Sequence, residues 1–165
     1  MVDGDGGAFD NLLLLIGKLN YSWTNTESLL IHLVAGLART EKETAVIIFL
    51  TLNTMRARVD LVERLAKLDR IQSVERDRIL QLTREMLRLS KVRNHYNHSI
   101  YAFDAENGTA RTILMRIADR KKEIKVGRET NIDTEALIEI ETTISALSDL
   151  NRQFWELIGE FGYPQ

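Results

Sequence analysis

Between Ile79 and Phe103 the apolar positions Ile79, Leu82, Met86, Leu89, Tyr96, Ile100 and Phe103 recur at steps that alternate between three and four, and Arg93 fills the remaining place in the series. This spacing lays a stripe along one face of an α-helix, and a stripe of that length has to be buried against other helices. It commits the chain to helical packing. Arg93 is the one charged member of the stripe, and a charge on a packing face must be paired or must line a wet cleft. Around it runs Lys91 to Ser99, KVRNHYNHS, which holds two of the three histidines, His95 and His98.

At 165 residues and 44% hydrophobic content the chain can bury one good core, so residues 1–165 are expected to form a single domain. A single proline and 28% charged residues favour long helices over a turn-rich sandwich. Cysteine is absent, which excludes disulfides, thiolate metal sites and a cysteine nucleophile and fits a cytoplasmic protein. The start, MVDGDGGAFD, is acidic, and the run Leu12 to Ile16 is interrupted by Gly17 and Lys18, too soon for a signal sequence or a membrane span. The expectation is a cytoplasmic, unprocessed chain with no membrane association. Eleven Lys or Arg face six Asp or Glu from Arg56 to Arg93, whereas six acids face one base from Thr134 to Glu160. Such faces either pair with each other across a bundle or form a basic rim that attracts polyanions.

Taken in order, helical spacing predicts a first helix from Phe9 to Leu19 and a break at Asn20 to Trp23. Thr24 with Glu27, and Thr40 with Glu43, have capping-box spacing, which starts a second helix near Asn25 and a third that runs through Val59 and Val62 to about Leu68. A fourth, from Ser73 to beyond Ile100, carries the central stripe. DAENGT, Asp104 to Thr109, reads as a turn cluster. Ile113, Met115 and Ile117, and then Ile124 and Val126, alternate around the polar Asp119 to Lys122, the pattern of a β-hairpin. Asp133 is a plausible N-cap for the last helix, with Leu137, Ile140, Ile144, Leu147, Phe154, Ile158 and Phe161 in register and Asn151 as a register-setting polar residue. The expected fold is all-α: an antiparallel bundle of about five helices with a β-hairpin insertion at about residues 111–130.

Arg93 to His98, RNHYNH, resembles the Arg, polar residue, three further residues, His signature of the HEPN superfamily, a group of all-helical proteins many of which are metal-independent ribonucleases. The resemblance implies catalytic roles for Arg93, His98 and Asn94 in RNA cleavage without a cofactor, and a two-fold homodimer whose motif helices face one shared cleft. It also implies a toxin or defence setting with an antitoxin-type protein partner. The interleaved His95, Asn97 and Tyr96 are the candidate binding residues.

The chemistry stands on its own terms. Internal attack by a 2′-OH needs a proton acceptor that works near neutral pH, a donor for the leaving 5′ oxygen and a fixed positive charge on the phosphorane. His98 can move the protons, Arg93 can hold the phosphate through its planar guanidinium, and Asn94, four residues before His98, can orient the imidazole. Five residues on a straight helix subtend about 140°, so Arg93 and His98 share a pocket only if the Arg bends round, the helix is distorted or two chains combine. Plainer roles stand beside these. Arg93 can pair with Glu139 or Glu141, and His95 and His98 can be ordinary hydrogen-bonding groups or, with Asp104 or His32, metal ligands. Tyr96, Tyr101 and Trp23 suit stacking on bases or a core, and the whole chain can equally be a non-catalytic helical module for dimerisation or ligand binding.

Overall fold

The structure, a computed structural model, describes residues 6–104 and 106–165; the acidic start, residues 1–5, and Ala105 of the turn cluster lie outside them. Among the described residues there are six helices, α1 (Gly6–Ser28), α2 (Leu30–Ala38), α3 (Lys42–Thr51), α4 (Met55–Ala66), α5 (Ser73–Asn97) and α6 (Thr134–Glu160). Between α5 and α6 lie three strands, β1 (Ser99–Asp104), β2 (Thr109–Arg120) and β3 (Glu123–Ile132), which form one antiparallel sheet in the order β1-β2-β3. The all-α expectation is therefore corrected to a mostly helical, mixed fold. The chain divides into two compact units, one of residues 22–89 and 146–165 and one whose described residues come from 6–21 and 90–145.

In the first, helical unit the core is built from Trp23, Leu30, Leu33, Leu37, Phe49, Val59, Val62, Ile79, Met86, Leu147, Phe154 and Ile158, all buried. α2 buries six of its residues, including His32, as expected of a helix apolar around most of its circumference. The break expected at Asn20 to Trp23 is absent, since α1 continues to Ser28, and Thr24 sits in mid-helix. Glu27 is not a capping residue. Its carboxylate accepts from Trp23 Nε1 at 2.8 Å and from Arg58 Nη1 at 2.8 Å.

The single long third helix is instead two, α3 and α4. Glu41, not Thr40, stands at the N-cap of α3 and makes no side-chain capping bond. Thr54 caps α4, its Oγ1 accepting from Ala57 N at 3.2 Å. Arg58 then closes the break: its Nε donates to Phe49 O at 3.1 Å and Leu52 O at 3.0 Å, and its guanidinium lies 4.0 Å from the centre of the Phe49 ring. The last carbonyls of α3 would otherwise be orphaned, and a side chain from the next helix satisfies them. The apolar periodicity runs through the break without a change of phase, so the sequence pattern concealed it.

Two helix ends in this unit use the same backbone device. At α2, Arg39 takes a left-handed conformation (φ 53°), with Arg39 N bonded to Gly36 O at 3.2 Å and Thr40 N to Ala35 O at 3.0 Å. At α6, Gly162 (φ 64°) does so, with bonds to Gly159 O at 3.3 Å and, from Tyr163 N, to Ile158 O at 3.0 Å. Asn151 Nδ2 reaches Thr26 Oγ1 at 3.4 Å, so it satisfies a buried hydroxyl.

In the second unit Leu12, Leu15 and Leu19 of α1, Tyr96 of α5, Thr112 of β2 and Ile140 of α6 are buried. The helix expected to run beyond Ile100 ends at Asn97, and Ile100 and Phe103, 50% and 37% exposed, belong to β1. The stop has a local cause. Ser99 Oγ donates to His95 O at 2.6 Å and the Tyr101 hydroxyl donates to Tyr96 O, so the carbonyls of the final turn are taken by side chains that lie beyond it. β1 pairs with β2 from Ser99↔Leu114 to Asp104↔Thr109 around a turn in which Asp104 Oδ1 accepts from Glu106 N at 3.0 Å. The expected hairpin is β2 with β3, its register interrupted between Leu114 and Ile117, where β2 has one residue more than β3. Asp133 caps α6 as expected, Oδ1 accepting from Ala136 N at 2.9 Å.

Candidate functional site

The motif residues all lie at the C-terminal end of α5 and its junction with β1. Arg93 is half-buried and its Nη1 donates to Asn94 Oδ1 at 3.1 Å, so the guanidinium is held against the neighbouring amide. Asn94 O also accepts from His98 N at 3.1 Å, the last helical-type bond of the element. His98 is exposed and stands one residue past Asn97, where the helix has ended, and its own carbonyl accepts from Met115 N at 3.3 Å on β2. Helical azimuth therefore does not apply to His98. Asn97 is exposed beside it.

His95 and Tyr96 face elsewhere. Together with Lys91 and Val92 they form one wall of a cleft of about 630 Å³. β3 contributes Arg128, Thr130 and Asn131, and the start of α6 contributes Asp133, Glu135, Ala136 and Glu139. Arg93, Asn94 and His98 are not in its wall. His95 Nε2 lies 3.3 Å from the buried Thr112 Oγ1, which also donates to Thr130 O at 3.3 Å, and its ring meets Tyr96 edge-on at 4.9 Å. This hydrogen bond ties the helix to the central strand and turns the imidazole into the cleft wall.

Tyr96 is 4% exposed. Burial, and then the negative charges of Glu139 and Asp133, push its hydroxyl up to about 12, so the phenol is neutral at any physiological pH. Burial, and then Tyr96, do the same for Tyr101. Lys91, Arg128, Glu135 and Glu139 line this cleft without forming an ion pair among the described residues. Their charges are presented to solvent, not cancelled by one another.

His32, named above with Asp104 as a companion ligand for a metal, lies in the helical unit, its Nδ1 2.7 Å from Pro164 O and its ring 5.1 Å from that of Trp155. No group of three or more His, Asp or Glu that could hold a metal ion occurs among the described residues. No helix among them is long and apolar enough to cross a membrane. Trp23 is a core residue and offers no face for stacking on bases, and the Tyr101 hydroxyl is committed to the backbone.

Sequence reasoning found Lys91 to His98 but not the opposite side of the cleft. Glu135 and Glu139, one turn apart on α6 and directly after the cap at Asp133, were the available signal, because i,i+4 carboxylates share a helix face. No protein-family model, no curated protein and no solved structure matches the chain.

Proposed function

We propose that the chain is a metal-independent endoribonuclease of the HEPN type that acts as a homodimer on cytoplasmic RNA, in a toxin or defence role with a neutralising protein partner. The observation that carries this is the disposition of R-N-x-x-x-H: a guanidinium steadied by Asn94, and an exposed imidazole released from the helix one residue past its end. The substrate's 2′ oxygen attacks phosphorus while one His98 takes its proton. The bond to the 5′ oxygen breaks as a second His98, from the other copy, supplies a proton, and a 2′,3′-cyclic phosphate is left. Arg93 holds the equatorial oxygens as their charge grows. Two-fold pairing supplies one acid and one base from a single residue type.

One further feature favours RNA and another favours pairing. From Arg116 to Arg128 the hairpin carries six Lys or Arg against two Asp or Glu, a local excess of four positive charges in a chain of net charge −2. The exposed aliphatic groups of the same unit, among them Leu13, Leu14 and Ile100, are apolar surface that a second copy would cover.

The test is cleavage of single-stranded RNA in EDTA by the purified protein, with DNA left intact. His98→Ala is expected to lower the rate by roughly 10² to 10⁴, and Arg93→Ala by a comparable amount, both with unchanged circular dichroism. If Arg93→Ala unfolds the chain while His98→Ala is silent on every RNA, the motif is structural and the chain is a non-catalytic dimerisation or ligand-binding module.

A further inference from the structure

The hairpin of β2 and β3 ends in a ribbon that nothing covers among the described residues: every residue from Met115 to Val126 is exposed. Past the irregularity in β2 the strands pair Ile117↔Val126, Ala118↔Lys125, Asp119↔Ile124 and Arg120↔Glu123. Side chains alternate along a strand and paired residues share a face. Ile117, Ile124 and Val126 therefore leave from one face with Asp119, and Ala118, Arg120, Glu123 and Lys125 from the other. Lys121 and Lys122 make the turn at the tip. Glu123 lies 3.2 Å from Arg120 and Glu129 lies 3.8 Å from Arg111. Arg116, Lys121, Lys122 and Lys125 form no ion pair among the described residues.

These uncancelled cations on a narrow ribbon attract a polyanion, and the two faces decide which kind. An anionic bilayer offers phosphate and hydrocarbon from the same side. Here a ribbon laid on lipid by Ile117, Ile124 and Val126 would turn Lys125 away from it. A phosphodiester backbone asks only for cations. Lys125 leaves from the polar face and Lys121 and Lys122 from the tip, a convex path that a flexible single strand can follow. From Leu114 to Arg120 the ribbon runs about 20 Å at about 3.3 Å per residue. At about 3.4 Å of rise per phosphate in a stacked strand, that length passes about six phosphates. No group in the hairpin is suited to stack on a base, since Thr109 to Ile132 includes no Phe, Tyr, Trp or His. We propose that the β2–β3 hairpin is an arm that holds the phosphate backbone of single-stranded nucleic acid through Arg116, Lys121, Lys122 and Lys125, without regard to base sequence. The arm rests on the ribonuclease reading only in that the strand it holds would then be the RNA being cut.

The experiment is fluorescence anisotropy of labelled oligo-U, oligo-A and oligo-dT, each of about 20 nucleotides, with the full chain carrying His98→Ala so that RNA stays whole. The three are expected to bind within about threefold of one another, because phosphate contacts position a strand without reading it. Arg116→Gln, Lys121→Gln, Lys122→Gln and Lys125→Gln together, all at exposed positions, should make the fall of log affinity with log salt shallower by about 2.8, four phosphates at about 0.7 each. Exchanging the cations instead, Arg116→Lys with Lys121→Arg, Lys122→Arg and Lys125→Arg, should leave the slope as it was. The proposal is overturned by an unchanged slope in the Gln variant, by a lost slope in the exchanged one, or by a preference above about threefold among the strands that the Gln variant abolishes. Tighter binding to phosphatidylserine vesicles than to the strands would overturn it as well, in favour of a membrane. With His98 in place, RNA cleavage by a chain whose salt slope ignores the four cations removes the arm and leaves the ribonuclease standing. A slope that responds to them in a chain that cuts no RNA does the reverse.

Discussion

At the scale of single residues, one close fit in the helical unit depends on a missing atom. Gly36 lies in α2 under the Tyr163 ring, and a Cβ there would overlap that ring. Tyr163 is brought back by the left-handed Gly162, and its hydroxyl donates to Glu75; burial, and then this bond, raise its ionisation well above the ordinary value. Gly36→Ala should gain about 1 kcal/mol of helix propensity and lose more to overpacking, which in a filled site costs about 1–3 kcal/mol and more when the obstacle is a tethered ring. The expected outcome is a net loss of stability in urea melts, and Tyr163→Leu in the same chain should recover part of it. An increase on Gly36→Ala would show that the ring is free to move. The motif was legible at this scale because Arg93 interrupts an apolar stripe and cannot pass unnoticed. Tyr96 was legible as a stripe member and a candidate binding residue, but nothing along the chain tells that the charge of Glu139, forty-three positions on, acts on it.

Elements were read well where one periodicity held and poorly where two overlapped. The last helix, its cap at Asp133 and the β2–β3 hairpin followed from spacing alone. β1 was missed because Ile100 and Phe103 continue the 3,4 count, although Ile100, Tyr101 and Phe103 are also a β-branched and aromatic cluster suited to a strand. The α5–β1 joint is closed by the Tyr101 hydroxyl and lies beside the Tyr96 phenol, both held neutral, and this makes it sensitive to base. Tyr96 and Tyr101 are both pushed up to about 12 from an ordinary 10. An acid whose proton is held more tightly in the folded chain contributes its full stabilisation below the unfolded value, and that contribution is lost as pH rises through the folded one. Unfolding free energy should thus be level below about pH 10 and fall between about 10 and 12, and Tyr101→Phe should flatten the fall. A slope confined to the acid side would refute the assignment.

For the molecule as a whole, helices were expected and are the larger part, but a strand read as helix changed the fold class from all-α to mixed. Leu13, Leu14, Ile100, Met115, Ile117, Ile124 and Val126 are exposed at 45% or more, a large share of the aliphatic groups in one unit. Light scattering at micromolar concentration should therefore give twice the 18.9 kDa chain mass, and a stable monomer at high concentration would remove the proposed composite site with it. The sheet itself has two outer strands, β1 and β3, and the hairpin that bears one of them is long and exposes Met115, Ile117, Ile124 and Val126. Such an edge invites strand after strand to add on, the route to fibres. The excess of Lys and Arg between Arg116 and Arg128 makes every incoming copy of the hairpin meet its own sign of charge. The basic residues that would draw a polyanion to the hairpin thus also protect the chain against self-templated aggregation, and a bound polyanion would lift that protection as it docked.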